Sequence, residues 1–331
     1  MKKQDESFKN HTARAVSRPG FVGRPLRTTV IIPTYNSGGR IGRLIGALKA
    51  QTLKNISIIV VDSSSTDGTA EDARKAGARV EVIPKREFDH GGTRTLAGKM
   101  AEGEFLIYLT QDAMPVGEGA LENLLKPFSE DAAIAAVYGR QLPAEDASAF
   151  AAHLRLFNYP EMSSVKCADD KKALGFKTVF VSNSFCAYRR GALEQIGWFK
   201  AGMITNEDTH AGAKMLLAGF KIAYAANAAV RHSHNYTAFE EARRYFDIGV
   251  FHRTERWMLD EFGGAGGEGG RFVKTGFRYL AENRKYHLVP EFIFRSGLKF
   301  VFYKLGMNYA RLPWPIAARI SRNRTWWGSR A

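Results

Sequence analysis

Residues 106–115 read LIYLTQDAMP. The first half has the pattern of a buried strand and the second half that of a loop leaving it. A lone carboxylate, Asp112, stands where the strand ends. One reading is local: the side chain accepts a hydrogen bond from its own loop and shapes the turn. The other is functional: it holds a metal or a charged substrate at a sheet edge. The flanking sequence weighs on the choice. TTVIIP (28–33) is a β-branched run closed by Pro33, and Ser37 is placed to cap a helix carrying Ile41, Leu44, Ile45 and Leu48. NISIIVVD (55–62) reads as a second buried strand, followed by the turn SSSTDGT (63–69) and a helix to Ala76. RVEVI (79–83) alternates as a strand, HGGTR (90–94) opens a helix to Glu102, and EFLIYLT (104–110) leads back to Asp112.

Strands alternating with helices predict an α/β fold with right-handed crossovers and a mostly parallel sheet. Ligands bind beyond the carboxyl ends of such strands. Those ends are Pro33-Thr34-Tyr35-Asn36, Asp62-Ser63 and Gln111-Asp112, which favours the functional reading of Asp112. The second half is less regular. Strands are expected at 132–140 and within 178–190, helices at 146–158 and 205–220, and a strand within 221–234. A long helical pattern covers 237–260. GGAGGEGG (263–270) reads as a flexible hinge, and the chain from Arg271 reads as helical, broken at Pro290, Pro313 and Pro315.

The 331 residues suffice for one large or two modest domains. No segment of the first 27 residues reads as a signal peptide, and no apolar run approaches the roughly 20 residues of a spanning helix. Two cysteines, Cys167 and Cys186, in no metal or redox spacing suit free thiols in a reducing cytosol. The net charge of +15 is unevenly placed. Residues 1–28 carry seven Lys/Arg against two acids, residues 271–331 thirteen against two, and the body between is close to neutral. The C-terminal block also holds thirteen aromatics, among them Trp314, Trp326 and Trp327. Such a block is a solvated face, a match for an anionic membrane surface, or an RNA contact. A nucleic-acid partner is disfavoured by the near-neutral body and by the acids at the sheet edge. Residues 292–305 (FIFRSGLKFVFYKL) are apolar around most of the helical wheel, with Arg295, Ser296 and Lys299 on a narrow polar side. They are expected to lie on a membrane or to pack on the body or on a second subunit.

Three further groups invite chemistry. Glu207 and Asp208 open a predicted helix after Thr205 and Asn206. As structural residues they complement the helix dipole, with Thr205 as cap. As functional residues they profit from the same dipole, which keeps a general base ionised. His232 and His234, two apart at a strand end, face one way and suit a metal or a diphosphate. Arg94 lies near a helix start, where a cation is disfavoured. Two glycines before it, Gly91 and Gly92, would let an anionic ligand approach the backbone. Its plainer reading is a surface pair with Glu87 or Asp89.

Taken together, VIIPTYN (30–36), VVDSSSTDGT (60–69), QDA (111–113), NED (206–208) and VRHSH (230–234) resemble the inverting family-2 glycosyltransferases of the GT-A fold. FDHGGTR (88–94), LTQDAMP (109–115), FVSNSFCAYRR (180–190), HSHNYT (232–237), FDIGVFH (246–252) and GEGGRFV (267–273) look like bacterial rhamnosyltransferases of surface polysaccharide assembly. The resemblance runs from about residue 28 to 285. It implies a Rossmann-like catalytic domain over 28–236, a flexible tail over 1–27, and a helical, basic and aromatic region over 237–331 for membrane or oligomer contact. It also implies a dTDP-β-L-rhamnose donor, Mg²⁺ or Mn²⁺, and a polyprenyl-diphosphate-linked acceptor at the inner face of the plasma membrane. Asp208 would be the base and Glu207 its partner. Asp112 would be the last acid of the DxD metal motif, completed by His232 or His234. Thr34 and Asp62 would hold base and ribose, with Pro33, Tyr35, Asn36, Ser63, His90, Gly91 and Gln111 around the donor and Arg94 facing its diphosphate or sugar. The chain departs from the pattern at Thr110, which replaces the first DxD acid, and at Thr95 and Lys214. Rival readings are a UDP- or GDP-sugar donor, a nucleic-acid-binding protein, and an inactive scaffold.

Overall fold

The computed structural model describes residues 27–264 and 267–328. The expected N-terminal tail falls outside these residues, as do Ala265 and Gly266 of the glycine run. The strands are β1 (Thr28–Thr34), β2 (Ile56–Asp62), β3 (Arg79–Val82), β4 (Phe105–Leu109), β5 (Met114–Pro115), β6 (Ile134–Leu142), β7 (Ser164–Lys166), β8 (Phe185–Arg189) and β9 (Lys221–Arg231). They form one sheet in the order β3-β2-β1-β4-β8-β6-β9-β5, with β7 also on β9.

The α/β architecture is as expected, but the sheet is mixed rather than mostly parallel. β1 pairs parallel with β2 and β4, and β2 with β3. β8 then enters antiparallel to both β4 and β6, while β6 and β9 run parallel. The cause is topological: the chain passes from β4 through α4 to β6 in the same sense, and β8, later in the chain, fills the place between them from the opposite end. β4 is buried on both faces, as a central strand requires. Its Leu106 and Tyr108 join one apolar cluster, and Phe105, Ile107 and Leu109 the other.

The helices are α1 (Arg40–Lys49), α2 (Thr69–Lys75), α3 (His90–Met100), α4 (Ala120–Glu130), α5 (Ala149–Asn158), α6 (Lys171–Leu174), α7 (Arg190–Gln195), α8 (Glu207–Leu217), α9 (Ala238–Thr254), α10 (Arg256–Phe262), α11 (Glu268–Glu282), α12 (Val289–Met307), α13 (Trp314–Ile320) and α14 (Arg324–Gly328). α1 buries Ile41, Leu44, Ile45 and Leu48, each side chain contributing about 1.5–3 kcal/mol. Ser37 does not cap it: Gly39 is the N-cap, and the Ser37 hydroxyl bonds Thr69 Oγ1 instead (3.0 Å). The prolines of the C-terminal region start helices rather than break them. Pro290 and Pro315 lie in the opening turns of α12 and α13, where a missing N–H costs nothing. Phe246, Val250, Trp326 and Trp327 belong to the same cluster as Ile31 and Tyr108, so the C-terminal helices share the body's core. Both cysteines are free. Among the described residues, no helix is long and apolar enough to cross a membrane.

Candidate active site

A cavity of about 1000 Å³ opens along the carboxyl ends of β1, β2 and β4. Asp112 and Asp208 both line it, as do Pro33, Thr34, Tyr35, Ser63, His90, Arg94, Gln111, His232 and His234. Asn36, Asp62, Gly91 and Glu207 lie outside its lining.

At one end, the strand-end residues hold each other. The Thr34 hydroxyl donates to Asp62 Oδ2 (2.8 Å), whose carboxylate also accepts from the Ser65 amide and hydroxyl. Gln111 clasps the backbone of Tyr35, accepting from its N–H (2.9 Å) and donating to its carbonyl (3.1 Å). Lys85 Nζ donates to the Tyr35 hydroxyl (2.6 Å). These contacts brace a half-exposed aromatic ring and a row of polar loop atoms, a shape suited to a nucleotide.

Asp112, His232 and His234 offer ligand atoms all within 4.8 Å of one another. β9 ends at Arg231, so the histidines follow the strand rather than belong to it. They still converge: His232 Nε2 lies 3.4 Å from Asp112 Oδ1, and His234 Nε2 3.7 Å from Oδ2. Burial alone would raise the Asp112 carboxyl. The hydrogen bond and charge of His232, with His234, outweigh it and hold the group well below the usual range. Burial and the neighbouring His232 pull His234 down to about 4, so its ring is neutral at pH 7.

A chain of hydrogen bonds fixes the tautomer of His232. Arg155, buried, has only donors and points Nη1 at Oε1 of Gln141, while Gln141 Nε2 donates to Ser182 Oγ (2.9 Å). That same Oε1 meets His232 Nδ1 at 2.9 Å. In the neutral imidazole Nδ1 therefore carries the hydrogen, and the Nε2 lone pair faces Asp112. Two acceptors opposed at this distance repel unless a proton or a metal cation lies between them. One carboxylate and two imidazoles with a bonded second layer fit a divalent metal.

Asp208 and Glu207 stand at the start of α8. Thr205 does not cap this helix. Asn206 does so in the left-handed region (φ 62), which asparagine tolerates better than most residues. Asp208 accepts from the amides of Asn183 (2.9 Å) and Thr209 (2.7 Å). Glu207 accepts from Asn183 Nδ2 (3.1 Å) and pairs with Arg94 at 3.3 Å, both side chains buried. Burial first and the Glu207 charge second push the Asp208 carboxyl up to about 6, despite the two amides. The group is still ionised at neutral pH, though the helix start does not offset its burial and the Glu207 charge. Glu207 is held low, because Arg94 and His90 outweigh its burial.

Arg94 is therefore no surface partner of Glu87 or Asp89. It sits in the second turn of α3 and also donates to the His90 carbonyl (3.0 Å). Asp89 instead caps α3 through the Gly92 amide. The expected role of Gly91 is also revised, since a Cβ there would lie 2.0 Å from the Lys200 carbonyl oxygen. The close approach is to the protein's own backbone.

Several residues in or behind the cavity wall escaped the sequence reading. Gln141 stands at a strand end like Asp112, but the expected strand stopped at Arg140, short of it. Asn183 was visible only as a polar residue in an apolar stretch. Arg155 and Arg244 gave no signal beyond charge on helical faces. The C-terminal segment closes the cavity with Asn323, Thr325 and Trp326. It is fastened by Asp247, which accepts from Ser321 Oγ (2.6 Å) and the amides of Arg322 and Asn323.

This is the architecture of nucleotide-sugar transferases with a GT-A-like fold. The structure aligns with a mannosyltransferase from Pyrobaculum calidifontis solved with GDP-Man and Mn²⁺ (TM-score 0.60, 16% identity, 88% of this chain and 90% of that one). It also aligns with residues 1–349 of Staphylococcus aureus TarS (TM-score 0.55, 16% identity, 89% and 83%). Residues 29–197 match the model of Glycosyl transferase family 2. Over 308 residues, 92% of this chain and 97% of the relative, the sequence is 44% identical to the O-antigen chain rhamnosyltransferase RfbN of Salmonella typhimurium. It is 45% identical over 303 residues to WbaN of Salmonella anatum, described likewise, covering 91% and 96%. The chain belongs to glycosyltransferase family 2.

Proposed function

We propose that this enzyme transfers L-rhamnose from dTDP-β-L-rhamnose, with inversion, to a hydroxyl of a polyprenyl-diphosphate-linked saccharide. The setting is surface polysaccharide assembly at the inner face of the plasma membrane. The observation that carries the reading is the near full-length identity to two O-antigen chain rhamnosyltransferases. A base-like carboxylate and a metal-like triad on one cavity support it.

Asp208 takes the proton of the acceptor hydroxyl as that oxygen attacks the anomeric carbon from the face opposite the diphosphate. The Asn183 and Thr209 amides each hold one of its two oxygens, which fixes the orientation of the carboxylate. With a pKa of about 6 it is ionised at neutral pH and a stronger base than an ordinary aspartate. A positioned base contributes about 10²–10⁴ in rate. Arg94 pairs with the Glu207 carboxylate and offsets part of its charge, which limits how far Glu207 raises the Asp208 carboxyl. Asp112, His232 and His234 would hold the divalent cation, whose Lewis acidity stabilises the leaving diphosphate. Gln141 and Arg155 keep His232 oriented for that task. The Thr34–Asp62 and Gln111–Tyr35 contacts shape the nucleotide end.

The test is incubation with dTDP-rhamnose, UDP-sugars or GDP-sugars and a panel of lipid-linked acceptors, read by mass. A gain of one deoxyhexose from dTDP-rhamnose alone is expected. Transfer from a UDP- or GDP-sugar instead would replace the donor assignment, and an inert protein would leave only a scaffold role.

A further inference from the structure

α12 is turned inside out. The narrow polar side of its wheel faces the body: Lys299 Nζ meets Glu241 Oε1 at 3.0 Å, and Arg295 meets Glu241 Oε2 at 3.4 Å and the Tyr236 carbonyl at 2.9 Å. A glycine pair locks this rotation. A Cβ on Gly306 would lie 2.1 Å from the Phe246 carbonyl, and one on Gly249 2.3 Å from the Tyr303 carbonyl. The apolar side therefore has no choice but to face outward. Ile293 is 55% exposed, Phe294 53%, Phe300 63% and Val301 50%. These positions recur at helical spacing on one stripe, and Lys304, with its ammonium 5.6 Å from the Phe300 ring, continues it.

We infer that this stripe is the surface by which the enzyme lies in the interface of an anionic bilayer. The chemistry of the surroundings selects this occupant. Residues 271–331 hold thirteen Lys/Arg and two acids. A second copy docked here would bring the same cationic region against itself, since a two-fold interface repeats one patch on both sides. A bilayer of anionic lipid supplies apolar depth and negative charge at once. The inference rests on the proposed lipid-linked acceptor for its setting, and on the locked helix for its physics. α9 lines the cavity with Tyr245, Ile248 and His252 and packs against α12. A membrane at α12 thus lies one helix layer from the acceptor's path.

The test uses the full chain and co-sedimentation with vesicles of phosphatidylcholine alone or mixed with phosphatidylglycerol. Wild type should bind only the mixed vesicles, more weakly at high salt. Phe294→Ser with Phe300→Ser should weaken that binding by about tenfold or more, while Met162→Ser, 80% exposed elsewhere, leaves it unchanged. Equal binding by the double variant overturns the inference, as does failure of wild type to bind at low salt. A dimer dissolved by the double variant without vesicle binding assigns the stripe to a second copy. Transfer to a short-chain, water-soluble acceptor should be unchanged in the double variant. Loss of all transfer by wild type with vesicle binding intact would defeat the proposed reaction and leave the surface standing.

Discussion

Asp112 and Asp208 line one cavity, both largely withdrawn from water, and their carboxyl groups are driven in opposite directions. Burial raises each of them. What differs is the nearest neighbour: imidazoles beside Asp112, a carboxylate beside Asp208. At about 4 Å and an effective dielectric near 20, a unit charge acts with roughly 4 kcal/mol, so a carboxylate neighbour drives Asp208 further up while a protonated imidazole pulls Asp112 down. Under the proposed mechanism, Asp112 would stay an anion that grips a cation and Asp208 an anion that takes a proton. The same residue type stands in two environments because α8 delivers Glu207 alongside one copy, and the chain after β9 delivers His232 and His234 alongside the other.

That contrast can be broken at either end. The largest effect is expected from Asp208→Asn, which removes the proton acceptor while keeping shape. Turnover should fall by about a hundredfold or more with donor affinity unchanged, as single-turnover kinetics and donor titration would read. Near-normal turnover would end its role as base. At the other end, Asp112→Ala should abolish measurable Mn²⁺ binding in paramagnetic resonance titrations. Gln141→Leu, which frees the His232 tautomer, should weaken it by about 10–100-fold. Unchanged Mn²⁺ affinity in both would make the triad structural. The smallest effect concerns pH. The base must be ionised, so kcat/KM should fall as pH drops through about 6, the value at Asp208. Glu207→Gln removes a like charge, so the acid limb should move to lower pH. An upward move would show that Glu207 does not act through its charge.

Much of this was legible because α/β chains place ligands at strand ends, and the polar residues there can be read directly. Thr34, Tyr35, Gln111 and Asp112 needed only that rule. Gln141 obeys the same rule and was lost by ending β6 two residues early. The reversal of the sheet at β8 leaves no local trace, since an apolar strand reads the same in either direction. Arg94 lines the cavity, as the functional reading expected, but its partner Glu207 lies over a hundred residues away and could not be read. The outward face of α12 was hidden for a similar reason: a helical wheel shows two sides, and only Glu241 says which one turns inward. The caps expected at Ser37 and Thr205 went to Gly39 and Asn206, whose left-handed backbones tighten the turns.

The antiparallel entry of β8 between β4 and β6 has a consequence for how such enzymes diversify. Thr34, Tyr35, Gln111 and Asp112 precede that seam in the chain, while Glu207 and Asp208 follow it. Recombination at the seam would exchange one partner's recognition and spare the other's. The graft would succeed only if the incoming half also carried a histidine pair back to Asp112.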